Sequence, residues 1–591
     1  MAMWACYLNT KQNIQTGGKN MTIKEQIEKG LKAAFVALKL DVGYAIVSTS
    51  SQDGVDYQCN SSFNLAKSIK DRVEKSPIDF AKSIVAKFKS NVSIAEAAGA
   101  GFINFTITDA ALTQMAMTVL ESTKIPLAKQ KKRKIFFDYG GANIAKELHV
   151  GHLRPPIIGE AMRRTFMAFG HETIGDTHLG DWGTHMGLII AELERRGDIN
   201  ETLSLKLLNE IYPQASARKN TDEAFKKRAQ DIVMLIQRHE EPYFSIWNEI
   251  KKVSLPAIKK NYDRLNCSFD TFEGDNCEYA EDMLKILKNT YEDGGCLLMD
   301  VREEGEHIPQ TDEDGKVTYK NPMPPVMIKK ADGAVLYITG DLSTIHRRHT
   351  RYSPDEYVFV VDARQSLHFT QLFRAAKKGG IVPEDTHLVH MALGTMNGQD
   401  GKPFKTRAGG TIKLEDVINL VTEAATTKLE ANGRKADKST AEKIGISALK
   451  FADLSNHISR NYIFDLEKFS SFDGKTGPYI LYTIARINSI LEKANKAEQN
   501  GTVPFLYRPI IAQILKISDA YTSATQNYTV NGIIDALFSL ANAFNGFYAC
   551  TNILKESDPS KRTALLTLCR LVKIVLEFVL DTLAIDAVEK M

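Results

Sequence analysis

The stretch IFFDYGGANIAKELHVGHLRPPIIGEAMRRTF, residues 135–166, contains the features that decide the fold. It opens with an apolar run, Ile135 to Phe137, which predicts a buried strand of a parallel sheet. A glycine-containing turn follows. Pro155 and Pro156 then predict the start of a long helix, because proline is tolerated in the first helical turn. This order of strand, loop and helix start predicts an α/β fold with an anion site at the helix N-terminus.

Two histidines stand in the loop before this helix. His149 and His152 are three residues apart, so their imidazoles can point the same way and donate hydrogen bonds to the phosphates of a nucleotide. Gly151 between them would let a flat adenine ring lie close to the backbone. Taken alone, H-x-x-H also fits a chance pair or half of a metal site. The preceding strand and turn favour the nucleotide site.

The histidines belong to a longer pattern, N-x-x-K-x-x-H-V-G-H-x-R. It resembles the HIGH signature of class I aminoacyl-tRNA synthetases, and specifically that of arginyl-tRNA synthetases. The matching residues are Asn143, Lys146, His149, Gly151, His152 and Arg154. That family usually has Ser-x-Pro before the asparagine and Ser-Thr after the arginine. This chain has Gly-Gly-Ala at 140–142 and Pro-Pro at 155–156 instead.

The resemblance implies an α/β plus all-α architecture in which a Rossmann-like catalytic domain carries two further domains. The implied division is a small N-terminal α/β domain over residues 21–125, the catalytic domain over 130–412 with a helical insertion at about 190–290, and a C-terminal helical anticodon-binding bundle over 413–591. Residues 1–20 lack the apolar core of a signal peptide and are expected to be a flexible extension.

Composition is typical of a globular protein with several domains. A chain of 591 residues is too long for one hydrophobic core, and 43% hydrophobic with 25% charged residues is ordinary for such a protein. A net charge of +3 is too small to indicate a polyanion partner by itself. Seven scattered cysteines without a C-x-x-C pair favour free thiols in a reducing compartment over a zinc ribbon. We expect no apolar run long enough to cross a membrane.

Periodicity predicts the elements of the N-terminal domain. Apolar spacing predicts helices at residues 23–40 and 80–89, with Asp79 as the N-cap of the second. Residues 101–107 alternate in part between apolar and polar side chains, which predicts a half-buried strand. From about Leu414 onward the chain is predicted to be almost wholly helical.

Two regions are implied to contact tRNA. The GFINF sequence resembles the family's N-terminal domain, which reads the elbow of the tRNA, and implies that Phe102 stacks on the RNA and Asn104 hydrogen-bonds to it. A core strand is the alternative for Phe102. The K-T-G-P-Y…A-R sequence resembles the anticodon-binding region and implies RNA contacts for Tyr479 and Arg486. A place in the core is the alternative for Tyr479.

The G-D-W-G-T sequence also resembles arginyl-tRNA synthetases. It follows a predicted strand at residues 172–176, and two glycines around Asp and Trp suit the crevice at the carboxyl ends of a parallel sheet. Gly180 and Asp181 are therefore expected to contact ATP, in addition to Gly151 and the two histidines.

A basic, glycine-rich loop at residues 400–410 lies where class I enzymes carry their KMSKS loop. Most arginyl enzymes lack its second lysine in the usual form, but Lys402, Lys405 and Arg407 are present here. The resemblance implies that Lys402 and Lys405 contact the phosphates of ATP and that Lys146 supplies the compensating charge. An ordinary surface loop is the alternative.

The pair Tyr337 and Asp341 resembles the family's Y-x-x-x-D motif, which faces the arginine side chain. A guanidinium needs planar, paired acceptors, and a carboxylate supplies them. Gln365 matches within V-D-A-R-Q-x-L-H, and Asp138 matches a position where the family often carries an acid, with a turn or helix cap as its alternative role. The implied arginine site consists of Asp138, Asn143, His149, Tyr337, Asp341 and Gln365.

The resemblance therefore implies an arginine–tRNA ligase. The carboxylate of arginine attacks the α-phosphorus of ATP, pyrophosphate leaves, and the arginyl group passes to the 3'-terminal adenosine of tRNA(Arg). We expect Mg²⁺ to accompany ATP without a dedicated protein metal site, and the enzyme to be a monomer in the cytoplasm, away from membranes. The residues implied to be catalytic are His149, His152, Lys146 and Lys405.

Two other classes of function compete with this one. A class I enzyme for another amino acid is disfavoured by Asp341, because an apolar substrate side chain would leave that carboxylate buried and unpaired. An inactive paralogue that acts as an RNA-binding scaffold is disfavoured by the intact signature histidines.

Overall fold

The computed structural model describes residues 21–68, 76–181, 183–198, 202–274, 279–303, 306, 309–311, 317–319, 323–398, 400–401, 412–434, 437–494 and 507–591. The predicted extension at residues 1–20 and the proposed phosphate contacts Lys402 and Lys405 lie outside the described residues. The chain forms two compact units. The terminal unit comprises residues 1–131, 428–451 and 470–591, and the central unit comprises residues 132–427 and 452–469.

The N-terminal part of the terminal unit is an antiparallel sheet with helices. The strands are, in sheet order, Ser48–Thr49, Tyr57–Cys59, Phe102–Ile107 and Ser93–Ala98. The helices are Ile23–Ala37, the short 3-10 helix Val42–Tyr44, Ser61–Ser68, Pro77–Lys87 and Asp109–Ser122. These bounds confirm the predicted α/β composition of this region, including both amphipathic helices and the strand at 101–107.

One detail of the second helix differs from the prediction. Asp79 is not the N-cap, because the helix begins at Pro77 and Ser76 caps it. The Ser76 hydroxyl accepts a hydrogen bond from the Asp79 N–H, and the Asp79 carboxylate accepts one from the Ser76 N–H. The two residues form a capping box, in which a serine at the N-cap is paired with an acid three residues later.

The C-terminal part of the chain is helical, as predicted. Its helices are Leu414–Ala431, Lys438–Leu454, Leu466–Phe469, Gly477–Lys493, Arg508–Asn527, Asn531–Cys550, the 3-10 helix Ile553–Lys555, and Pro559–Thr582. Arg508 joins this part of the terminal unit to the N-terminal sheet, because its guanidinium donates to the Ile107 carbonyl and pairs with Asp56 and Asp109.

The helix Asn531–Cys550 corrects one expectation. It has 20 residues and is long and apolar enough, by length and composition, to cross a membrane, so the prediction that no apolar run reaches this length was wrong. Its side chains at Ile533, Leu537, Leu540 and Phe544 are buried, and it packs against neighbouring helices of the same unit. Its buried apolar side chains lie on one face, which packs into the bundle, while Asp535, Ser539 and Asn542 on the opposite face are exposed, as in an amphipathic helix of a bundle.

The central unit is built on a parallel four-stranded sheet. The strand order is His387–Leu393, Glu356–Asp362, Lys134–Asp138 and Glu172–Asp176, with every pair parallel. This confirms the two strands predicted for this region, at residues 135–137 and 172–176. The apolar side chains of the two middle strands are buried on both faces, which explains why these strands have continuous hydrophobic runs.

The described helices of the central unit that precede Leu414 fall into two groups. Those on the sheet are the signature helix Arg154–Ala168, Tyr337–Tyr352 and Ser366–Lys378, with 3-10 turns at Val150–His152 and Ala363–Gln365. Those of the predicted insertion are Thr184–Arg196, Leu205–Arg218, Glu223–Gln237, Tyr243–Arg264 and Ala280–Ile286. The remaining strands are Thr290–Asp293, Cys296–Met299 and Val326–Lys329 in one sheet, Pro309–Thr311 with Val317–Tyr319, and Met396–Asn397 with Tyr462–Ile463.

Gly159 sets how closely the signature helix approaches the sheet. A Cβ atom at this position would lie 2.5 Å from Cβ and Cγ of Tyr139, the residue that follows the strand Lys134–Asp138. Such a distance is far below van der Waals contact, so only glycine allows this packing. The close approach brings the start of the helix to the carboxyl end of the strand.

We predict that Gly159→Ala destabilises the protein by about 1–3 kcal/mol, the usual cost of overpacking a core. The measurement is the midpoint of denaturant unfolding, followed by circular dichroism. Gly546→Ala is the matched control, because it lies in the helix Asn531–Cys550 with open space around its missing Cβ, and alanine there should leave stability unchanged or raise it. Equal midpoints for Gly159→Ala and the parent would contradict this account of the packing.

Candidate active site

A cavity of about 670 Å³ lies within the central unit, where the parallel strands end. It is the place where open α/β sheets bind ligands, outside the carboxyl ends of their strands. Nine residues that the sequence analysis assigns to the ATP or arginine site line it: Asp138, Asn143, His149, Gly151, His152, Gly180, Tyr337, Asp341 and Gln365. The fold thus brings together residues that are up to 227 positions apart in the chain (365 minus 138).

Backbone hydrogen bonds orient the two signature histidines. The Gly151 N–H donates to Nδ1 of His149 at 3.0 Å, and the His149 N–H donates to Nδ1 of His152 at 3.1 Å. Since Nδ1 is an acceptor in both rings, the proton of each neutral imidazole lies on Nε2. The ring centroids are 4.0 Å apart. The turn therefore fixes two adjacent Nε2–H donors of one tautomer at the cavity.

The structure shows a second reason for glycine at position 151, in addition to the close approach of an adenine ring expected from the sequence. A Cβ atom there would lie 2.7 Å from Cε1 and 2.9 Å from Nδ1 of the His149 ring. Any other residue would push this imidazole away from the position in which it accepts the backbone hydrogen bond. The glycine therefore makes room for a histidine of the same motif.

Burial keeps both imidazoles neutral. It lowers the pKa of His152 to about 3, with further contributions from the neighbouring His149 and Lys146. Burial also lowers the pKa of His149, and the charge of Lys146 acts in the same direction. At neutral pH the pair therefore offers neutral N–H donors, which can hydrogen-bond to anionic oxygens without carrying positive charge themselves.

Arg348 is a buried residue of this site that the sequence motifs did not indicate. Its guanidinium donates to Oδ2 of Asp138 at 2.6 Å and also pairs with the carboxylate of Asp176, and it lies 4.8 Å over the Phe136 ring. These partners are the last residues of two adjacent strands. Helical spacing could have indicated that Arg348 belongs to the site, because it follows Asp341 by two turns on the same helix, Tyr337–Tyr352.

The same cluster resembles a metal site in its spacing. Ligand atoms of Asp138, Asp176 and His178 lie within 4.8 Å of one another. The Arg348 guanidinium, however, is bonded to both carboxylates and lies 3.4 Å from Nδ1 of His178. A guanidinium already supplies the positive charge that the acids require, so this cluster does not suit a divalent cation.

A second acidic group of the cavity is arranged differently. Asp341 Oδ2 is 2.6 Å from Nε2 of His368, whose ring centroid is 5.4 Å from that of Tyr337. Tyr337 and Asp341 are four residues apart on one helix and therefore share a face. Gln365 ends the 3-10 turn Ala363–Gln365 that precedes the helix carrying His368.

Two residues expected at the site do not line the cavity. The ammonium of Lys146 lies 3.9 Å over the ring of Tyr212, a residue of the helical insertion. The carboxylate of Asp181 is buried and pairs with Lys251, also from the insertion. A cation–π contact holds Lys146 and an ion pair holds Asp181, both outside the cavity. Local sequence patterns contain no information on such long-range partners.

Arg154, the last residue of the signature pattern, fastens the signature helix to the opposite edge of the cavity. Its Nε donates to Asp453 at 3.0 Å, and its Nη1 donates to the carbonyl oxygens of Gly394 at 2.5 Å and Arg460 at 3.2 Å. Burial raises the pKa of Asp453, and the arginine opposes that rise. The hydrogen bond to Gly394 joins the signature helix to the residue that follows the strand His387–Leu393.

The residues expected to bind tRNA lie in the terminal unit. Phe102 is half-buried with its ring 4.9 Å from that of Phe63, and Asn104 is buried with its Oδ1 accepting from Gln58 at 2.8 Å. Both residues therefore also contribute to the packing of the sheet.

The C-terminal helices form a second cavity, of about 340 Å³, in the terminal unit. Arg486 lies in it, with its guanidinium carbon 4.7 Å from the Tyr482 ring and 5.0 Å from the Tyr548 ring. Met591 also lines it. Tyr479 lies outside this cavity, with its ring 5.6 Å from that of Phe538. Flat rings beside a guanidinium are suited to stacking a nucleobase.

Comparison with known proteins agrees with this geometry. Residues 114–466 match the family model described as tRNA synthetases class I (R), catalytic domain, which places the chain among the class I aminoacyl-tRNA synthetases. Residues 21–107 match the arginyl tRNA synthetase N terminal domain and residues 480–591 match the DALR anticodon binding domain. The chain belongs to the arginyl-tRNA synthetase family.

Individual relatives cover almost the whole chain. The chain is 38% identical to an arginine–tRNA ligase of Alkaliphilus oremlandii, over 96% of this chain and 99% of that one, and 36% identical to one of Agathobacter rectalis, over 96% and 99%. The arginyl-tRNA synthetase structures from Plasmodium falciparum and Thermus thermophilus share the fold, with TM-scores of 0.81 and 0.75 at 21% identity. They cover 97% and 96% of this chain and are themselves covered completely.

We predict that the His152 imidazole stays neutral between pH 8 and 5, because burial holds its pKa at about 3. The measurement is the pH dependence of its ring carbon and proton NMR signals, assigned by their loss in His152→Asn. Since the unfolded chain takes up a proton here near pH 6.5, the stability associated with this residue falls as pH drops from about 6.5 towards 3. A titration midpoint above pH 6 would contradict the burial argument.

Proposed function

We propose that this protein activates L-arginine with ATP and transfers the arginyl group to the 3'-terminal adenosine of tRNA(Arg). The observation that carries the proposal is the joint presence in one cavity of a neutral histidine pair and a separately held carboxylate, Asp341. The histidine pair suits the phosphates of ATP, and the Asp341 carboxylate suits a guanidinium. The arginine–tRNA ligases to which the chain is similar bear this reaction in their name.

For ATP, we propose that the two Nε2–H groups donate hydrogen bonds to the α-phosphate. A carboxylate oxygen of arginine attacks the α-phosphorus, the bond to the β-phosphate oxygen breaks, and pyrophosphate leaves. Charge on the transferring phosphoryl group grows during this step, and preorganised donors lower its energy. No covalent bond to the protein is required, because positioning and charge stabilisation suffice.

Mg²⁺ is proposed to enter with ATP, bound by the phosphates and water, as this ion usually keeps most of its water ligands. The proposed roles of Lys402 and Lys405 at the departing pyrophosphate, and of Lys146 near the histidines, remain predictions from the family pattern. We further propose that the protein acts as a monomer in the cytoplasm. Its described cysteines are free thiols, which suits a reducing compartment.

On the arginine side, we propose Asp341 as the main acceptor for the substrate guanidinium. Asp138 lines the same cavity, but its Oδ2 already accepts a hydrogen bond from Arg348, so this oxygen is engaged within the chain. We propose that Tyr337 and Gln365 complete the slot, and Asn143 and His149 line the same cavity. Lysine has a point-like charge that cannot use planar paired acceptors, and it would leave some of them unpaired.

The same arrangement argues against the two competing functions. An apolar substrate side chain beside Asp341 would leave a partly buried carboxylate without a cation. A scaffold without catalytic activity would have no use for two neutral imidazoles of one tautomer held at the mouth of a cavity.

We predict that Asp341→Asn raises the KM for arginine about 10- to 100-fold, since hydrogen bonds to a charged group contribute about 1.5–3 kcal/mol. The KM for ATP should change little. The measurement is arginine-dependent ATP–pyrophosphate exchange in the presence of tRNA. Asp385→Asn, an exposed carboxylate in the same unit, is the control and should keep both constants. Unchanged arginine KM in Asp341→Asn would defeat the assignment.

The second cavity is proposed to take a base of tRNA between Tyr482, Arg486 and Tyr548. We predict that Arg486→Ala raises the KM for tRNA in aminoacylation about tenfold, given the usual contribution of base stacking, and leaves the KM for arginine unchanged. Arg486→Lys tests the kind of contact, because it keeps the charge and loses the planar face. If Arg486→Lys has the same KM for tRNA as the parent, the charge of the side chain is sufficient. If Arg486→Ala also has the KM of the parent, the cavity does not bind RNA.

A further inference from the structure

We propose that His368 is a positioning residue that sets the affinity and selectivity for arginine by holding the Asp341 carboxylate in one orientation. This inference rests on the proposed function, because it requires that Asp341 binds the substrate. His368 has no assigned role in the proposed reaction, although it lines the same cavity.

His368 lies directly beside the proposed acceptor, and both residues line the cavity. Its Nε2 is 2.6 Å from Oδ2 of Asp341, and the two residues belong to different helices, Ser366–Lys378 and Tyr337–Tyr352. The side chains are 23% and 15% exposed, so water competes only in part for this hydrogen bond. The contact thus joins two helices at the wall of the cavity.

The imidazole itself is held from two sides. The ring centroid of Tyr337 lies 5.4 Å away in a tilted arrangement, and the ring of Phe369 packs against it edge-on at 5.5 Å. Aromatic contacts of this geometry favour one ring orientation. His368 is therefore a rigid donor, unlike the flexible side chain of a lysine or glutamine.

A fixed carboxylate plane matters for a guanidinium in particular. A carboxylate turns easily about its last bond, whereas a guanidinium presents its N–H groups in one plane. When Oδ2 uses one lone pair for His368, its second lone pair and both lone pairs of Oδ1 keep a defined direction. Preorganisation of this kind lowers the entropic cost of binding. A round ammonium group gains less from it, so His368 is expected to favour arginine over lysine.

The test is a double-mutant cycle of His368→Leu and Asp341→Asn, read by arginine-dependent ATP–pyrophosphate exchange with tRNA. We expect His368→Leu to raise the KM for arginine about tenfold, with kcat at saturating arginine and the KM for ATP near those of the parent. His368→Gln, which retains an N–H donor at a similar reach but on a flexible side chain, should recover only part of the loss. In the double variant the effect should equal that of Asp341→Asn alone, because His368 acts through the carboxylate.

His387→Leu, an exposed histidine of the same unit, serves as the control for loss of an imidazole, and circular dichroism establishes that each variant is folded. Should His368→Leu fail to fold, the KM of His368→Gln for arginine, compared with the values of the parent and of Asp341→Asn, still tests the role of His368. Additive effects in the cycle, or equal losses in arginine and ATP affinity, would overturn the role of His368 while leaving that of Asp341 intact. An unchanged arginine KM in Asp341→Asn would instead overturn the proposed function, and the inference about His368 with it.

Discussion

The site depends on one buried interaction, the guanidinium of Arg348 between the carboxylates of Asp138 and Asp176. Its side chain is fully buried, and a buried charge is tolerated only when it is paired and hydrogen-bonded. Each acid ends one of two adjacent parallel strands, so the pair joins the edge of the sheet to the helix Tyr337–Tyr352. The register of that helix, and with it the position of Asp341 on the cavity wall, follows from this contact.

This constraint also distinguishes two of the acids that line the cavity, Asp138 and Asp341. Asp138 faces an arginine of the chain itself, whereas Asp341 faces a histidine that can donate a hydrogen bond without being charged. Asp138 is thus bonded to a cation of the chain itself, whereas we propose that Asp341 takes the cation of the substrate. In the same cavity, burial removes charge from the histidine pair. A cationic substrate group and an anionic one can thus bind in one cavity at separate places.

Much of this could be predicted from the sequence, because the relevant signals are local. The apolar run before the signature, the proline pair and the spacing of the histidines predict the strand, the helix start and the shared face that the structure has. Local sequence patterns did not predict the positions of side chains whose partners lie far away in the chain. The partners of Lys146 and Asp181 come from the insertion, and no pattern near either residue indicates them.

Other differences have similarly specific causes. The sequence predicts Asp79 as the cap because it directly precedes the apolar helix pattern, but Pro77 already starts the helix, so the cap is Ser76. The apolar helix Asn531–Cys550 buries one face against neighbouring helices of its unit, so the apolar residues of that face follow from burial. Arg348 could have been found from helical periodicity, but the need for a buried cation appears only once the two strand ends are known to be neighbours.

The central claim is that Asp341, and not Asp138, receives the guanidinium of the substrate. A crystal structure of the protein with arginine and a non-hydrolysable ATP analogue tests this most directly. The account predicts the substrate guanidinium within about 3 Å of Asp341, with His368 still bonded to Oδ2 and Arg348 still between Asp138 and Asp176. A substrate guanidinium bound to Asp138, with Asp341 turned away from it, would contradict the account.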